Sequence, residues 1–170
     1  MPLGRKAMNG IKIDIENFDE GCEPTTFDLL CVEKIDYLHK VNNYSLVTIQ
    51  VDTFKIRIRF DWKEDEGIDE SDFLYIAESA TMFFRCENQW GAIDVQAKML
   101  KRHECSHWKP FIERKGCFIL VEDDLLAEST RLNGERIDSV PIDPPTERKE
   151  YDDRIEYSSP VFGRQVLKTK

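Results

Sequence analysis

Phe27 to Trp62 reads FDLLCVEKIDYLHKVNNYSLVTIQVDTFKIRIRFDW, and its second half decides the fold class. Leu46, Thr48 and Gln50 alternate with Val47, Ile49 and Val51, and Phe54, Ile56, Ile58 and Phe60 alternate with Lys55, Arg57 and Arg59. A period of two places one set of side chains in a core and the other in water, as in half-buried strands. Only Asp52 and Thr53 separate the runs, so a tight antiparallel hairpin joins them. Upstream, Ile11, Ile13 and Ile15 alternate with Lys12, Asp14 and Glu16, the pattern of an edge strand, and NFDEGCEPTT (17–26) is a loop.

Downstream, KEDEGIDESD (63–72) is a charged loop, and Phe73–Ile76 and Thr81–Cys86 are short strands. Trp90–Leu100 reads as a strand followed by a helical turn. Trp108, Phe111 and Ile112 are spaced to share one face of a short helical arm that stops at Gly116. CFILV (117–121) is a buried strand, and Asp123–Leu132 is expected to be a short helix ending at Asn133-Gly134. Pro141, Pro144 and Pro145 open a mixed-charge segment, expected to be an extended tail that docks through Tyr157, Val161 and Phe162. The expected organisation is an N-terminal extension (1–24), a β core (25–102), an arm and packing segment (103–140), and a tail or linker (141–170).

The 170 residues carry 24 basic and 33 acidic side chains, a formal charge of −9. Such a surface repels nucleic-acid phosphates, which argues against direct nucleic-acid binding, and it suits Lys/Arg-rich partners. No apolar run reaches the length of a membrane span, and no signal-peptide core follows Met1. Five scattered cysteines without such a signal read as reduced thiols of a cytosolic or nuclear protein.

Two catalytic or metal constellations are weak. His103, Cys105 and His107 alternate, with Cys86 and Cys117 as further candidates if the fold brings them close, but the paired Cys-x-x-Cys spacing of zinc sites is missing. Asp94, Gln96 and Lys98, with Glu78 upstream, match part of a metal-dependent nuclease motif, in which carboxylates hold Mg²⁺ beside a lysine. Neither supports a catalytic residue, a metal or a cofactor. The third constellation is Asp36 before the hairpin and Phe60 and Trp62 at its end. Aromatic faces attract a methylated ammonium by cation–π interaction, about 0.5–2 kcal/mol per wall, and a carboxylate accepts its remaining N–H. The competing interpretation puts Phe60 in the core and Trp62 at the rim.

These residues carry a resemblance. Residues 27 to about 116 resemble a malignant-brain-tumour (MBT) repeat, a Royal-family relative of Tudor and chromo domains. That family opens with Leu-Glu-x-x-Asp, where this chain has Val32-Glu33-Lys34-Ile35-Asp36, and proceeds to Phe-Asp-x-Trp, here Phe60-Asp61-Trp62. Asp72-Phe73, Ser79, Arg85-Cys86 and Trp90-Gly91 follow in the family's order, and Trp108-Lys109-Pro110-Phe111-Ile112-Glu113 with Gly116 matches the arm between repeats. The chain departs by a one-residue deletion before Trp62, by Gly67 and Ile68 at a cage position, and by Phe84-Arg85 in place of Gly-Trp.

The resemblance implies a mainly β fold, a small five-stranded Tudor-like barrel with a helical arm and an extended C-terminal tail. It implies a non-enzymatic nuclear chromatin module that reads mono- or dimethyl-lysine on histone tails in transcriptional repression. Asp36, Phe60 and Trp62 would form its pocket, with Phe73 and Tyr75 as substitute walls. Its alternative is a repeat that has lost its pocket and works through protein–protein contact, with repressor-complex proteins as partners.

Overall fold

A computed structural model describes residues 10–33, 40–63 and 67–170. Among these, fifteen strands form four sheets, so the mainly β expectation holds. The first sheet contains β1 (Ile11–Asp19), β2 (Leu29–Val32), β3 (Asn43–Val51) and β4 (Phe54–Trp62), in the order β1-β3-β4-β2. β3 and β4 are the expected hairpin, with Val51 opposite Phe54, and Asp52 takes a left-handed φ of 51° that its short polar side chain tolerates. β1 is the expected edge strand, and β2 runs parallel to β4.

The remaining chain folds as successive antiparallel meanders. The second sheet is β5 (Phe73–Ile76), β6 (Thr81–Cys86), β7 (Gln89–Asp94) and β8 (Met99–Cys105). The third is β9 (Phe111–Lys115), β10 (Phe118–Glu122), β11 (Leu126–Arg131) and β12 (Arg136–Pro141). The fourth is β13 (Glu147–Glu150), β14 (Arg154–Ser159) and β15 (Gly163–Lys168).

The sheets stack face to face, and the hydrophobic pattern explains how. Met82, Phe84 and Cys86 pack with Val47, Ile58 and Phe60 of the first sheet, whereas Phe83, Trp90 and Ala92 pack with Ile119 and Val121 of the third. Leu120, on the other face of β10, packs with Ile155, Tyr157 and Leu167 of the fourth. The two inner sheets are therefore buried on both faces, which is why their strands read as continuous apolar runs, TMFFRC and FILVE. The outer sheets bury one face each, and their strands alternate. Within the second sheet, the close approach of β8 to β7 requires glycine at position 91, where a Cβ would stand 2.2 Å from the carbonyl oxygen of Arg102.

This architecture corrects four expectations. The described strands form open sheets where a closed five-stranded barrel was expected. The expected helical arm is an irregular Trp108–Pro110 segment leading into β9, whose residues pair with β10 from Phe111 opposite Glu122 to Lys115 opposite Phe118. The expected helix at 123–132 is a turn followed by β11, which pairs with neighbours on both sides, so tertiary pairing overrides the helix-favouring Leu-Ala-Glu sequence. In place of an extended tail, residues 147–168 form the fourth sheet, and Tyr157 lies in its core while Val161 and Phe162 stay exposed.

Candidate functional site

The alternation of β4 turns Phe60 inward, and none of its surface is exposed. Its ring meets Phe84 edge-on at 5.1 Å and Phe73 at 6.2 Å, so Phe60 and Phe73 are brought together inside the core. Trp62 is also buried, and its indole N–H donates to Ser45 Oγ at 2.9 Å. Tyr75 is half-buried against the same cluster. Asp36 lies outside the described residues. Next in sequence to Trp62, Lys63 donates its backbone N–H to Oε2 of the buried Glu33 at 2.8 Å, while Glu33 Oε1 has no hydrogen-bond partner among the described residues.

The outward side chain before Phe60 shows the chemistry expected of a cation cage. The Arg59 guanidinium lies 5.1 Å from the centre of the Tyr44 ring and 5.7 Å from that of Phe27. Its Nε donates to Asp61 Oδ1 at 2.6 Å, its Nη2 to Oδ2 at 2.9 Å, and its Nη1 to the Pro24 carbonyl at 2.9 Å. Hydrogen bonding to Asp61 holds the guanidinium pKa above its ordinary value. Two aromatic faces and a carboxylate thus enclose a cation supplied by the chain itself. The same device recurs where Arg102 lies 4.7 Å over Trp90 while pairing with the buried Glu128, and where Arg154 lies 4.2 Å over Tyr151.

The nuclease candidates have separate partners. Asp94 caps the N–H of Ala97 and faces Lys101 at 3.6 Å, Lys98 pairs with Asp28 at 3.4 Å, and Glu78 pairs with Arg114. His103 bonds Gln89 at 2.8 Å, and burial pushes its imidazole pKa down. Among the described residues, no three His, Cys, Asp or Glu side chains cluster as metal ligands would.

One surface site combines aromatic faces and carboxylates, and among the described residues no guanidinium lies over its rings. A cleft of about 490 Å³ opens where the third and fourth sheets meet, and its lining includes Trp108, Phe111, Glu122, Asp123 and Asp124. Trp108 is 57% exposed and Phe111 43%, high values for aromatic side chains in a body this well packed. The cleft's own cations are engaged: Arg148 Nη1 pairs with Glu122 Oε2 at 2.6 Å, and Lys109 lies 3.0 Å from the Asp72 carboxylate. The Tyr157 hydroxyl donates to Glu122, and burial with this bond raises its phenol pKa far above the ordinary value, so it stays protonated. Asp123 Oδ1 accepts the N–H groups of Leu125 and Leu126 at 2.8 and 2.7 Å, which fixes the turn. Asp124 is exposed, and among the described residues no base pairs with it.

Sequence reasoning placed Trp108 and Phe111 on a helix and Asp123–Asp124 at the start of another, so it did not bring them together. The available signal was Pro110, which removes a backbone donor and interrupts a helix; Phe111-Ile112-Glu113-Arg114-Lys115 itself carries no period-two pattern. No protein-family model matches the chain, and no curated protein matches it.

Proposed function

We propose that the chain is a non-enzymatic binding module that docks a basic segment of a partner protein in the Trp108–Asp124 cleft. The observation that carries this reading is the pair of exposed rings, Trp108 and Phe111, lining the same cleft as an unpaired carboxylate. A lysine or arginine side chain entering the cleft gains aromatic faces and a charge partner in one place. Histone tails are the natural first partner class, and a nuclear role in transcriptional repression beside repressor-complex proteins is the setting in which we place the module. This version is the protein-contact alternative of the MBT-like reading, and it does not require a methyl mark.

The narrower version, a mono- or dimethyl-lysine reader at the end of β4, keeps one supporting observation. Glu33, whose carboxylate keeps one oxygen without a partner among the described residues, bonds the N–H of Lys63, the residue that follows Trp62. Against it stands Phe60, whose ring is enclosed by Phe73 and Phe84.

Titrating the protein with unmodified, mono-, di- and trimethylated histone-tail lysine peptides, read by calorimetry, tests both versions. Binding that is insensitive to methylation and weakened by Asp124→Asn supports the cleft. Binding confined to the lower methylation states and unchanged by Asp124→Asn supports β4. No binding by any peptide overturns the proposal.

A further inference from the structure

A second cavity, of about 300 Å³, opens where the second and third sheets meet, and Phe111 is a wall of both cavities. The two differ in chemistry. In the second, Phe73, Leu74, Phe83 and Ile112 supply apolar walls around Phe111. Its charges are already neutralised: Asp72 is held by Arg85 Nε at 2.9 Å and by Lys109 at 3.0 Å, and Arg85 Nη1 donates to the Pro110 carbonyl at 2.9 Å. A cationic side chain gains nothing there, whereas an apolar one buries surface against the rings.

We infer that the module recognises an extended peptide carrying two anchors, a lysine or arginine in the Trp108–Asp124 cleft and an apolar side chain in the Phe73–Ile112 cavity. This inference rests on the proposed function and adds the second anchor. The stacking of the sheets dictates the arrangement. Phe111 opens β9 in the third sheet, so one cavity lies toward the second sheet and the other toward the fourth. Because Phe111 is a wall of both cavities, the two anchors are adjacent. In an extended chain, side chains i and i+2 project to the same side about 6.5 Å apart, the shortest same-side spacing. The expected motif is therefore a basic residue and an apolar residue with one residue between them. Charge complementarity sets the partner class: the chain carries −9 overall, and among the described residues neither Asp123 nor Asp124 of the cleft pairs with a base.

The test uses short glycine-serine peptides with blocked ends carrying one arginine, one leucine, or both at increasing separations. Affinity is measured with the full chain by fluorescence anisotropy. The expected result is measurable binding of the arginine peptide and a roughly tenfold gain, about 1.4 kcal/mol, when leucine is placed two positions away. That gain should disappear in Leu74→Lys, with the arginine-only affinity retained. Because Leu74 is half-buried, methyl NMR of the unmodified protein supplies a second readout: Leu74 and Ile112 signals should move with the two-anchor peptide and not with the arginine peptide.

If arginine peptides bind but leucine adds nothing at any separation, the second anchor is wrong and the proposed function stands. If the gain persists while the Leu74 and Ile112 signals stay fixed, the cavity assignment is overturned. If no peptide binds, both readings fall.

Discussion

The Arg59 site and the Trp108 cleft are made of the same groups and differ in what fills them. At the first, Phe27, Tyr44 and Asp61 surround a guanidinium that belongs to the chain. At the second, Trp108, Phe111 and Asp124 surround a cleft, and the nearby Arg148 and Lys109 are committed to Glu122 and Asp72. A filled cage contributes to stability, because removing either partner leaves a desolvated charge behind. An open one contributes little to stability and leaves its rings and carboxylate available to a ligand. Aromatic and acidic residues in proximity therefore do not identify a binding site until the fate of nearby arginines is known.

The comparison makes unequal predictions for the two regions. The largest effect is expected for Phe60→Ala, which empties a site enclosed by Phe73 and Phe84. It should cost about 3–5 kcal/mol in urea denaturation and leave any folded protein competent for the cleft. A surface cage wall at Phe60 would instead lose binding with little change in stability.

The second concerns Cys31, opposite Phe60 in the β2–β4 pairing. Burial, with the Asp61 charge adding to it, pushes its thiol from 9.0 up to about 12. Between these values the unfolded chain has released the proton and the folded chain retains it. Stability should thus be full below pH 9 and fall by about 1.4 kcal/mol per pH unit as pH rises toward 12, with buried Cys86 acting in the same direction. Denaturant titrations at several alkaline pH values, with a Cys31→Ala control, measure this.

The third is Arg59→Ala, which leaves the mostly buried Asp61 without its partner. A loss of about 2–3 kcal/mol is expected, given that the site retains some solvent contact. Millimolar methylguanidine should raise the melting temperature of this variant and not that of the parent chain, since only the variant has a vacant cage.

The smallest stability effect belongs to Asp124→Asn. Its melting transition should correspond to a change within about 0.5 kcal/mol, while affinity for basic peptides falls several-fold and becomes less sensitive to salt.

The first sheet was legible because each of its strands buries one face, and alternation at Ile11–Ile15, Leu46–Val51 and Phe54–Phe60 states that directly. The inner sheets were legible as strands for the opposite reason. Phe83 and Phe84 face different cores, so the run is continuous, but a continuous run does not say which neighbour each face meets. The barrel expectation came from the family resemblance and not from these runs. The arm failed on coincidence: Trp108, Phe111 and Ile112 fit helical spacing, yet Trp108 and Phe111 are exposed and Ile112 is half-buried in a strand. The fourth sheet was hidden by its prolines and dense charge, because its outer face carries the Arg154–Glu156–Arg164 ion pairs and only Ile155, Tyr157 and Leu167 report its core. Of the expected site residues, the proximity of Phe60 to Phe73 is real, but it is a contact between core rings.

The most direct test follows the indole N–H signals of the three tryptophans during titration with a basic peptide. Trp62 is bonded to Ser45, Trp90 lies under Arg102, and Trp108 is exposed, so each reports a different site. The account predicts that the Trp108 signal moves and saturates with arginine- or lysine-bearing peptides whether or not they are methylated, while Trp62 and Trp90 stay fixed. A saturating shift of Trp62 that requires mono- or dimethyl-lysine, with Trp108 unmoved, would contradict it and return the binding site to the end of β4.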